Sequence, residues 1–214
     1  MADYKKPDYW QQKARKEGYP ARSVYKLMEI DEKFALFKTK SAGSVKILDI
    51  GAAPGSWSLH VLRLMQKNTI KNGFLSAADL CALSREFDKG LFDNENFLFV
   101  QGDVTTEGVR EALLSKGPYN VIISDAAPST TGNHMIDSAR SLELAETVVS
   151  YAQDALAPGG NLVIKIFQGG GVDALLKKMK TLFTAAKSFK PQACRGESVE
   201  TYYIGISRSG KLVV

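Results

Sequence analysis

The spacing of apolar residues along the chain changes repeatedly between two periods. Short runs of continuous or alternating apolar residues predict strands, and segments where apolar residues recur every three or four positions predict helices. The predicted strands are Val45–Ile50, Gly73–Leu80, Phe97–Gln101, Tyr119–Ser124, Asn161–Phe167, Ala185–Phe189 and Thr201–Ser207. The predicted helices are two within residues 7–34, separated at Pro20, and Gly55–Gln66, Glu107–Ser115, Ser138–Leu156 and Val172–Phe183.

The order of these elements predicts the fold class. Strand and helix alternate through most of the chain, which is typical of an α/β fold with a mostly parallel, doubly wound sheet and helices on both faces. The loop 190–200 contains no helix, so we expect a hairpin at the sheet edge whose final strand is antiparallel to its neighbours. The 214 residues suffice for a single domain, with residues 1–44 as a basic helical extension.

The net charge of +5 is unevenly distributed. Residues 1–46 hold 11 Lys and Arg against 6 Asp and Glu, residues 47–164 hold 8 against 14, and residues 165–214 hold 9 against 3. Basic ends suit a polyanion and an acidic middle suits a positively charged ligand. Lys and Arg that only keep helices soluble would give the same counts.

Several classes of protein are disfavoured by composition. The longest apolar runs are too short to cross a bilayer, and no apolar segment follows the charges at the amino end. The two cysteines, Cys81 and Cys194, lie far apart and form no CxxC pair, so neither a disulfide framework nor a metal site is predicted. We expect a cytoplasmic protein with reduced thiols.

A glycine-rich turn, Leu48–Ser58, closes the first strand and opens the first helix of the sheet. Gly51 permits a tight turn and Gly55 permits a close approach of the backbone to a ligand. The turn is not the dinucleotide motif G-x-G-x-x-G, because Ala53 takes the place of a glycine and Pro54 lacks the N–H that a pyrophosphate would use. A nicotinamide dinucleotide is therefore disfavoured.

Two acidic residues follow the next two strands. Asp79 closes the second strand, where a carboxylate suits a ribose diol, and Asp103 follows the third, where it suits an exocyclic amine. Ligands of such sheets bind beyond the carboxyl ends of the strands. A ligand with ribose, adenine and a positive centre but no phosphate fits, which is S-adenosylmethionine. The alternative is a set of tight turns with solvated acids.

A lysine and an aspartate are expected to meet on the central strands. Asp125 ends the fourth strand, and Lys165 lies between Ile164 and Ile166 in the fifth. Lysine is almost never buried without a partner. If the fourth and fifth strands are neighbours in the sheet, Asp125 lies beside Lys165 and can be that partner. The same pattern would also arise from a structural ion pair or from a lysine whose amine reaches solvent.

Three kinds of methyl acceptor are disfavoured by what the motifs contain. Neither cysteine follows a strand end in a Pro-Cys pair, as methylation of a base carbon through a covalent adduct would require. The stretch Asp125–Pro128 replaces the Asn/Asp-Pro-Pro-aromatic sequence of amine methyltransferases. No cluster of carboxylates and amides suggests metal-dependent methylation of a catechol.

Further stretches complete a more specific pattern. They are Ala21–Leu27, Leu48–Ser58, Gln101–Asp103, Ser124–Pro128, Leu156–Gly160, Val163–Gly169, and Lys190-Pro191 with Arg195, Ser198, Glu200 and Tyr202. Through them, and over nearly its full length, the chain resembles the FtsJ/RrmJ (RlmE) family of ribosomal RNA 2′-O-ribose methyltransferases. The resemblance implies a Rossmann-like class I methyltransferase fold with a seven-stranded sheet, and S-adenosyl-L-methionine as cofactor.

The resemblance also implies functional residues at matching positions. The catalytic set is Lys26, Asp125, Lys165 and Glu200. The cofactor-binding residues are Gly51, Gly55, Trp57, Asp79, Asp103, Val104 and Asp125. The residues expected to contact the RNA substrate are Arg22, Arg195, Ser198 and Tyr202. The chain departs from the family at Ser56, where a second glycine is usual, and at Leu80–Leu83, where the family often has Leu-x-Pro-Met.

The resulting hypothesis is methyl transfer to a ribose 2′-hydroxyl by a monomer without a metal. Lys165 would act as general base, Lys26 would position the acceptor, and Glu200 would hold both lysines. The expected substrate is a uridine in the A-loop of large-subunit ribosomal RNA. The alternatives are a tRNA 2′-O-methyltransferase, a non-catalytic ribosome-assembly factor and a small-molecule methyltransferase. The basic residues expected to face RNA are Lys5, Lys6, Lys13, Arg15, Lys16, Arg22, Lys190 and Arg195.

Overall fold

A computed structural model describes residues 8–38 and 43–210, which include a sheet of seven strands. The strands are β1 (Val45–Ile50), β2 (Gly73–Asp79), β3 (Phe97–Gln101), β4 (Tyr119–Ser124), β5 (Leu156–Phe167), β6 (Phe183–Phe189) and β7 (Glu200–Arg208). Their spatial order is β3-β2-β1-β4-β5-β7-β6. Strands β1 to β5 pair in parallel, and β7 runs antiparallel to both β5 and β6. The predicted sheet and its edge hairpin are confirmed.

The helices described are α1 (Tyr9–Lys16), α2 (Val24–Phe34), α3 (Ser56–Gln66), α4 (Glu107–Leu114), α5 (His134–Ala155) and α6 (Val172–Leu182). Helix α5 begins four residues before the predicted start, because the side chain of Asn133 accepts hydrogen bonds from the N–H groups of Met135 and Ile136. Strand β5 also begins earlier than predicted, because Leu156 pairs with Tyr119 before a shift in register.

Helices cover both faces of the sheet, as the alternation of strand residues requires. Ile122 and Ile164 pack with residues of α4, α5 and α6 in one core cluster. Val121 and Val163, each one position away, pack with residues of α2 and α3 in a second cluster on the other face. Lys165, two positions beyond Val163 in β5, therefore lies on the face of the sheet that α2 covers.

The amino-terminal helices are packed against the rest of the domain. Ala14 of α1 is fully buried in a third cluster, which also contains Val24 of α2 and Leu59 of α3. Helix α1 thus lies on α2 and α3 and not on the sheet. Among the described helices none has the length and apolar character needed to cross a membrane.

Candidate active site

The glycine-rich turn between β1 and α3 packs directly against the loop that follows β4. Gly51 has a φ of +78°, which glycine adopts without strain. A Cβ atom at this position would lie 2.5 Å from the Cα of Ala126. Glycine is therefore required both by the backbone conformation and by the close approach of the two loops.

Each of the two predicted acidic residues is fixed by nearby hydrogen-bond donors. Asp79 accepts hydrogen bonds from the N–H of Ala53, at 2.9 Å, and from that of Cys81, at 2.8 Å, so the end of β2 is tied to the glycine-rich turn. Asp103 accepts bonds from the N–H and the hydroxyl of Thr105 at 2.9 and 2.7 Å. These bonds hold the pKa of Asp103 below its usual range, so its charge is secure at neutral pH.

Four of the residues predicted to bind the cofactor line one cleft at the carboxyl ends of β1, β2 and β3. They are Gly51, Asp79, Asp103 and Val104. Small side chains, Ala126 and Ala127, line the cleft from the β4 side. The cleft therefore has two carboxylates, those of Asp79 and Asp103, and is otherwise lined in part by residues with little or no side chain.

Trp57 and Gly55 lie behind this turn and are not among the residues lining the cleft. The Trp57 side chain is buried, and its indole N–H donates to the carbonyl of Ser23 at 2.8 Å, which joins α3 to the start of α2. A Cβ atom at Gly55 would lie 2.9 Å from the ring of Phe92. Both residues shape the turn, and their contact with a cofactor stays a prediction.

The four predicted catalytic residues are brought together as two ion pairs. The ammonium of Lys165 lies 3.1 Å from Oδ1 of Asp125 and donates to the carbonyl of Asp125 at 2.5 Å. The ammonium of Lys26 lies 2.8 Å from both carboxylate oxygens of Glu200. All four side chains are between 10 and 16% exposed, so water screens these charges poorly. We refer to these four residues as the tetrad.

Tyr202 joins the two pairs, a role that the sequence analysis did not assign to it. Its hydroxyl donates to Oδ1 of Asp125 at 2.6 Å, and the ammonium of Lys26 lies 5.9 Å from its ring centre. Tyr202 stands directly opposite Lys165 in the antiparallel pairing of β5 with β7. Its side chain is fully buried, and its contact with RNA stays a prediction.

The electrostatic balance of the tetrad favours an ionised Asp125. Burial alone would raise the pKa of Asp125, but the charges of Lys165 and Lys26 and the hydrogen bond from Tyr202 outweigh it, and the pKa lies below its usual range. Burial and the nearby Asp125 and Glu200 raise the pKa of Tyr202 well above its usual value. Tyr202 therefore remains a hydrogen-bond donor to Asp125 throughout the physiological range.

The remaining residues predicted to contact RNA occupy two places. Arg22 donates to the carboxylate of Asp8 and to the carbonyl of Ala193, and Arg195 lies 3.8 Å from the same carboxylate. Ser198 accepts a hydrogen bond from the N–H of Glu200 at 3.2 Å. Ser198 also lines a second cavity, beside the ends of β5 and α5, whose other lining residues are Thr130, Gly132, His134, Asp137, Ser138, Phe167, Glu197 and Val199. Lys5 and Lys6 lie outside the described residues.

A buried carboxyl that the sequence analysis missed lies beneath the glycine-rich turn. Asp49 is fully buried in β1 and accepts a hydrogen bond from the hydroxyl of Ser58 at 2.6 Å. Its Oδ1 atom has no hydrogen-bond partner in the described part of the chain. Burial, reinforced by the charges of Asp125 and Asp79, raises the pKa of Asp49 to about 7. The available signal was an acidic residue inside an otherwise apolar strand.

The two cysteines differ sharply in their surroundings. Cys81 is exposed, two residues beyond Asp79, whereas Cys194 is buried in the loop before β7. Burial and the neighbouring Glu200 raise the pKa of Cys194 to about 12. The thiol of Cys194 therefore stays protonated at neutral pH.

Comparisons with known proteins find relatives that match nearly the whole chain. The FtsJ-like methyltransferase family matches residues 19–208. A protein of Treponema denticola named Ribosomal RNA large subunit methyltransferase E is 46% identical, over 97% of this chain and 98% of its own length. One of the same name from Oleidesulfovibrio alaskensis is 43% identical, over 95% and 92%.

A solved structure shows the same fold. It is described as a ribosomal RNA methyltransferase from Plasmodium falciparum, with a TM-score of 0.72 and 24% identity, covering 90% of this chain and all of that one. The family match covers both the cleft and all four members of the tetrad. The chain belongs to the FtsJ-like methyltransferase family and is a methyltransferase.

Proposed function

We propose that this enzyme transfers a methyl group from S-adenosyl-L-methionine to a ribose 2′-hydroxyl of large-subunit ribosomal RNA, with a uridine of the A-loop as the target. It acts as a cytoplasmic monomer. The observation that carries the proposal is the tetrad: two buried ion pairs, joined through Tyr202, directly beside a cleft lined by Asp79 and Asp103. The names of the relatives support ribosomal RNA as the substrate.

The cleft fits the proposed cofactor by its chemistry. The two fixed carboxylates, Asp79 and Asp103, suit a ribose diol and an adenine amine, and the acidic rim suits a sulfonium. Gly51 lets the glycine-rich turn pack against Ala126, and both residues line the cleft. When bound, S-adenosylmethionine supplies a methyl group on a positively charged sulfur, which is already a good electrophile.

The task of the tetrad is to position and activate a weak nucleophile. A ribose hydroxyl is scarcely ionised at neutral pH, so in-line placement and removal of its proton limit the reaction. Lys165, once it has lost its own proton, would accept the proton of the 2′-hydroxyl while the methyl group passes from sulfur to oxygen, with the sulfur–carbon bond breaking as the oxygen–carbon bond forms. Asp125 orients Lys165 through both its carboxylate and its carbonyl. Lys26, fixed by Glu200, orients the acceptor oxygen from the other side.

The second cavity offers space for the nucleotide that carries this hydroxyl. Phe167 lies two residues beyond Lys165 in β5, and Val199 immediately precedes Glu200. The apolar surfaces of Phe167 and Val199 suit the face of a base, and Ser138 and Ser198 supply hydrogen-bonding groups at its edge. The cavity is therefore adjacent in sequence to two members of the tetrad, Lys165 and Glu200.

The test is methylation of defined RNA acceptors. Large ribosomal subunits from cells that lack this protein would be incubated with enzyme and labelled S-adenosylmethionine, and 2′-O-methyl positions would be mapped. We expect one new site, a uridine in the A-loop, with the Lys165→Ala variant as the inactive control. Methylation of tRNA and not of subunits would establish the tRNA alternative. Binding to subunits without methylation would establish an assembly factor, and either result would refute the proposal.

A further inference from the structure

Three residues from separate segments meet at the amino-terminal end of helix α1. Asp8 accepts a hydrogen bond from the N–H of Gln11 through Oδ1, at 2.9 Å, which caps the helix. Its other oxygen, Oδ2, receives the guanidinium of Arg22 and lies 3.8 Å from Nε of Arg195. One carboxylate oxygen therefore faces two guanidinium groups.

The convergence of two like charges is itself informative. Burial lowers the pKa of Arg22, and the positive charge of Arg195 lowers it further, which reflects how close the two groups lie. Planar guanidinium groups that meet at a shared oxygen form an arrangement suited to carboxylate or phosphate. The Arg22 side chain is 13% exposed and that of Arg195 is 61% exposed, so the pair is open to solvent on the Arg195 side.

The two arginines, Arg22 and Arg195, lie near the tetrad in the sequence. Arg22 precedes Lys26 by one helical turn, and its guanidinium also donates to the carbonyl of Ala193. The N–H groups of Gln192 and Ala193 donate to the carboxylate of Glu29, at 2.6 and 2.9 Å, which fixes their loop to α2. The same loop carries Arg195 and leads into Glu200.

The resemblance already implies that Arg22 and Arg195 contact the RNA substrate. We infer that the carboxylate of Asp8 occupies, until RNA arrives, the position between these two arginines that a phosphodiester of the RNA then takes. The inference rests on the proposed function, because it takes RNA to be the substrate. A phosphodiester offers two anionic oxygens and can replace Asp8 as the partner of both arginines. Asp8 then acts as an internal competitor, which weakens binding of any polyanion that cannot displace it.

A purely structural role for Asp8 makes the opposite prediction. If Asp8 served only to hold Arg22 in place, removing its charge would loosen Arg22 and weaken RNA binding. The variant Asp8→Asn separates the two cases, because asparagine caps a helix as well as aspartate does but carries no charge. Circular dichroism and thermal unfolding of this variant should match the wild type.

The experiment is titration of an RNA oligonucleotide spanning the proposed target loop, without cofactor, into each protein. We expect Asp8→Asn to bind about three- to tenfold more tightly than the wild type, since RNA no longer has to displace a partly exposed ion pair to gain one phosphate contact. The matched control is Asp154→Asn, which removes the same charge from another arginine pair, with Arg110. Asp154 lies near the end of α5, just before β5 begins, whereas Lys165 of the tetrad lies near the carboxyl end of β5. If Asp154→Asn raised the RNA affinity as much as Asp8→Asn does, the change in net charge alone would explain the gain, and the inference would be overturned.

A second variant links the gain to the arginines. Arg195→Ala should lower RNA affinity and reduce the slope of log affinity against log salt by about one. In the double variant with Asp8→Asn most of the gain should disappear, because the phosphate has lost one of its two partners. An unchanged or weaker affinity for Asp8→Asn, while the wild type binds RNA, would overturn this inference alone. A wild type that binds no RNA would overturn the proposed function, and the inference with it.

Discussion

The cofactor half and the acceptor half of the site are stabilised in different ways. In the cleft at β1 to β3, Asp103 accepts two hydrogen bonds from Thr105, only two residues away, and Asp79 accepts one from Cys81, also two residues away. In the tetrad, Lys26 pairs with Glu200 across 174 positions of sequence, and the carbonyl of Asp125 accepts from Lys165 across 40.

This difference has consequences for how each half fails. A carboxylate that is held by residues of its own turn keeps its geometry when another residue of the site is changed. Removing such a carboxylate therefore costs only its one contact with the cofactor. A buried charge whose partner is removed remains uncompensated, which is strongly unfavourable. Variants of the acceptor half should therefore lose the reaction outright, whereas variants of the cofactor half should lose affinity in steps.

The largest expected effect is in the acceptor half, at Lys165. Lys165→Ala should lower the single-turnover rate of methyl transfer by about 10²- to 10⁴-fold, because the general base is lost. Lys165→Arg should fare nearly as badly, since a guanidinium stays protonated. Cofactor binding, measured by calorimetry, should change little for either variant.

A matched control for Lys165 is Lys46→Ala. Lys46 also lies in a strand and donates to backbone carbonyls, those of Lys116 and Gly117, but it lies at the amino-terminal end of β1, away from the carboxyl ends of the strands. Its loss should leave the rate nearly unchanged. Near-wild-type turnover of Lys165→Arg would show that Lys165 supplies only a positive charge, and would refute its role as base.

A smaller and more selective effect is expected in the cofactor half. Asp103→Ala should weaken cofactor binding by about 1.5–3 kcal/mol, the size of a hydrogen bond to a charged group. At saturating cofactor the rate should recover, because the tetrad is intact. Calorimetry on this variant and on Asp154→Ala, an exposed carboxylate outside the site, measures the difference. Equal affinities for the two variants would exclude Asp103 from the cofactor site.

The link between the two ion pairs can be weakened without removing a charge. Tyr202→Phe deletes the hydroxyl that donates to Asp125 and should lower the rate about tenfold. Because this hydrogen bond lowers the pKa of Asp125, its removal should raise that pKa, which an NMR titration of the Asp125 carboxyl measures. Tyr203→Phe, a neighbour that faces the opposite core, is the control, and it should leave both the rate and the pKa of Asp125 unchanged. Equal rates for the two variants would leave Tyr202 with a packing role only.

The smallest expected effect concerns stability and not rate. In the unfolded chain Asp49 titrates near its ordinary value of about 3.9, whereas in the folded protein its pKa is about 7. Between these values the folded state holds a proton that the unfolded state has lost, so this contribution to stability falls as pH rises from about 4 to about 7. Asp49→Asn lacks the effect, so its Tm relative to that of the wild type should rise by several degrees between pH 4 and pH 8. A Tm difference that does not vary between pH 4 and pH 8 would contradict the prediction.

The comparison of the two halves also explains what could be predicted from the sequence. The cofactor half follows from local pattern, because strand order, the turn at Gly51 and the acids Asp79 and Asp103 are each readable within a few residues. The pairing of Lys26 with Glu200 is not readable in this way. It depends on the packing of α2 against the sheet and on the antiparallel direction of β7, and it was predicted only through family resemblance.

Two features of the site that the sequence analysis did not find have the same origin. The link that Tyr202 makes to Asp125 was not predicted, because it depends on β7 lying beside β5 with Tyr202 opposite Lys165. Asp8 received no role, because nothing in its surroundings in the sequence shows that Arg22 and Arg195 reach it. Contacts made by long side chains between distant segments are the part of the site that pattern alone leaves open.

The contrast between the two cysteines has a practical use as a spectroscopic handle. The chain contains only two thiols, and Cys194 is both buried and held protonated. A thiol-reactive dye at neutral pH should therefore label Cys81 alone, without any engineered substitution. Since the N–H of Cys81 donates to Asp79, that dye would sit at the rim of the cleft and report ligand binding through its fluorescence.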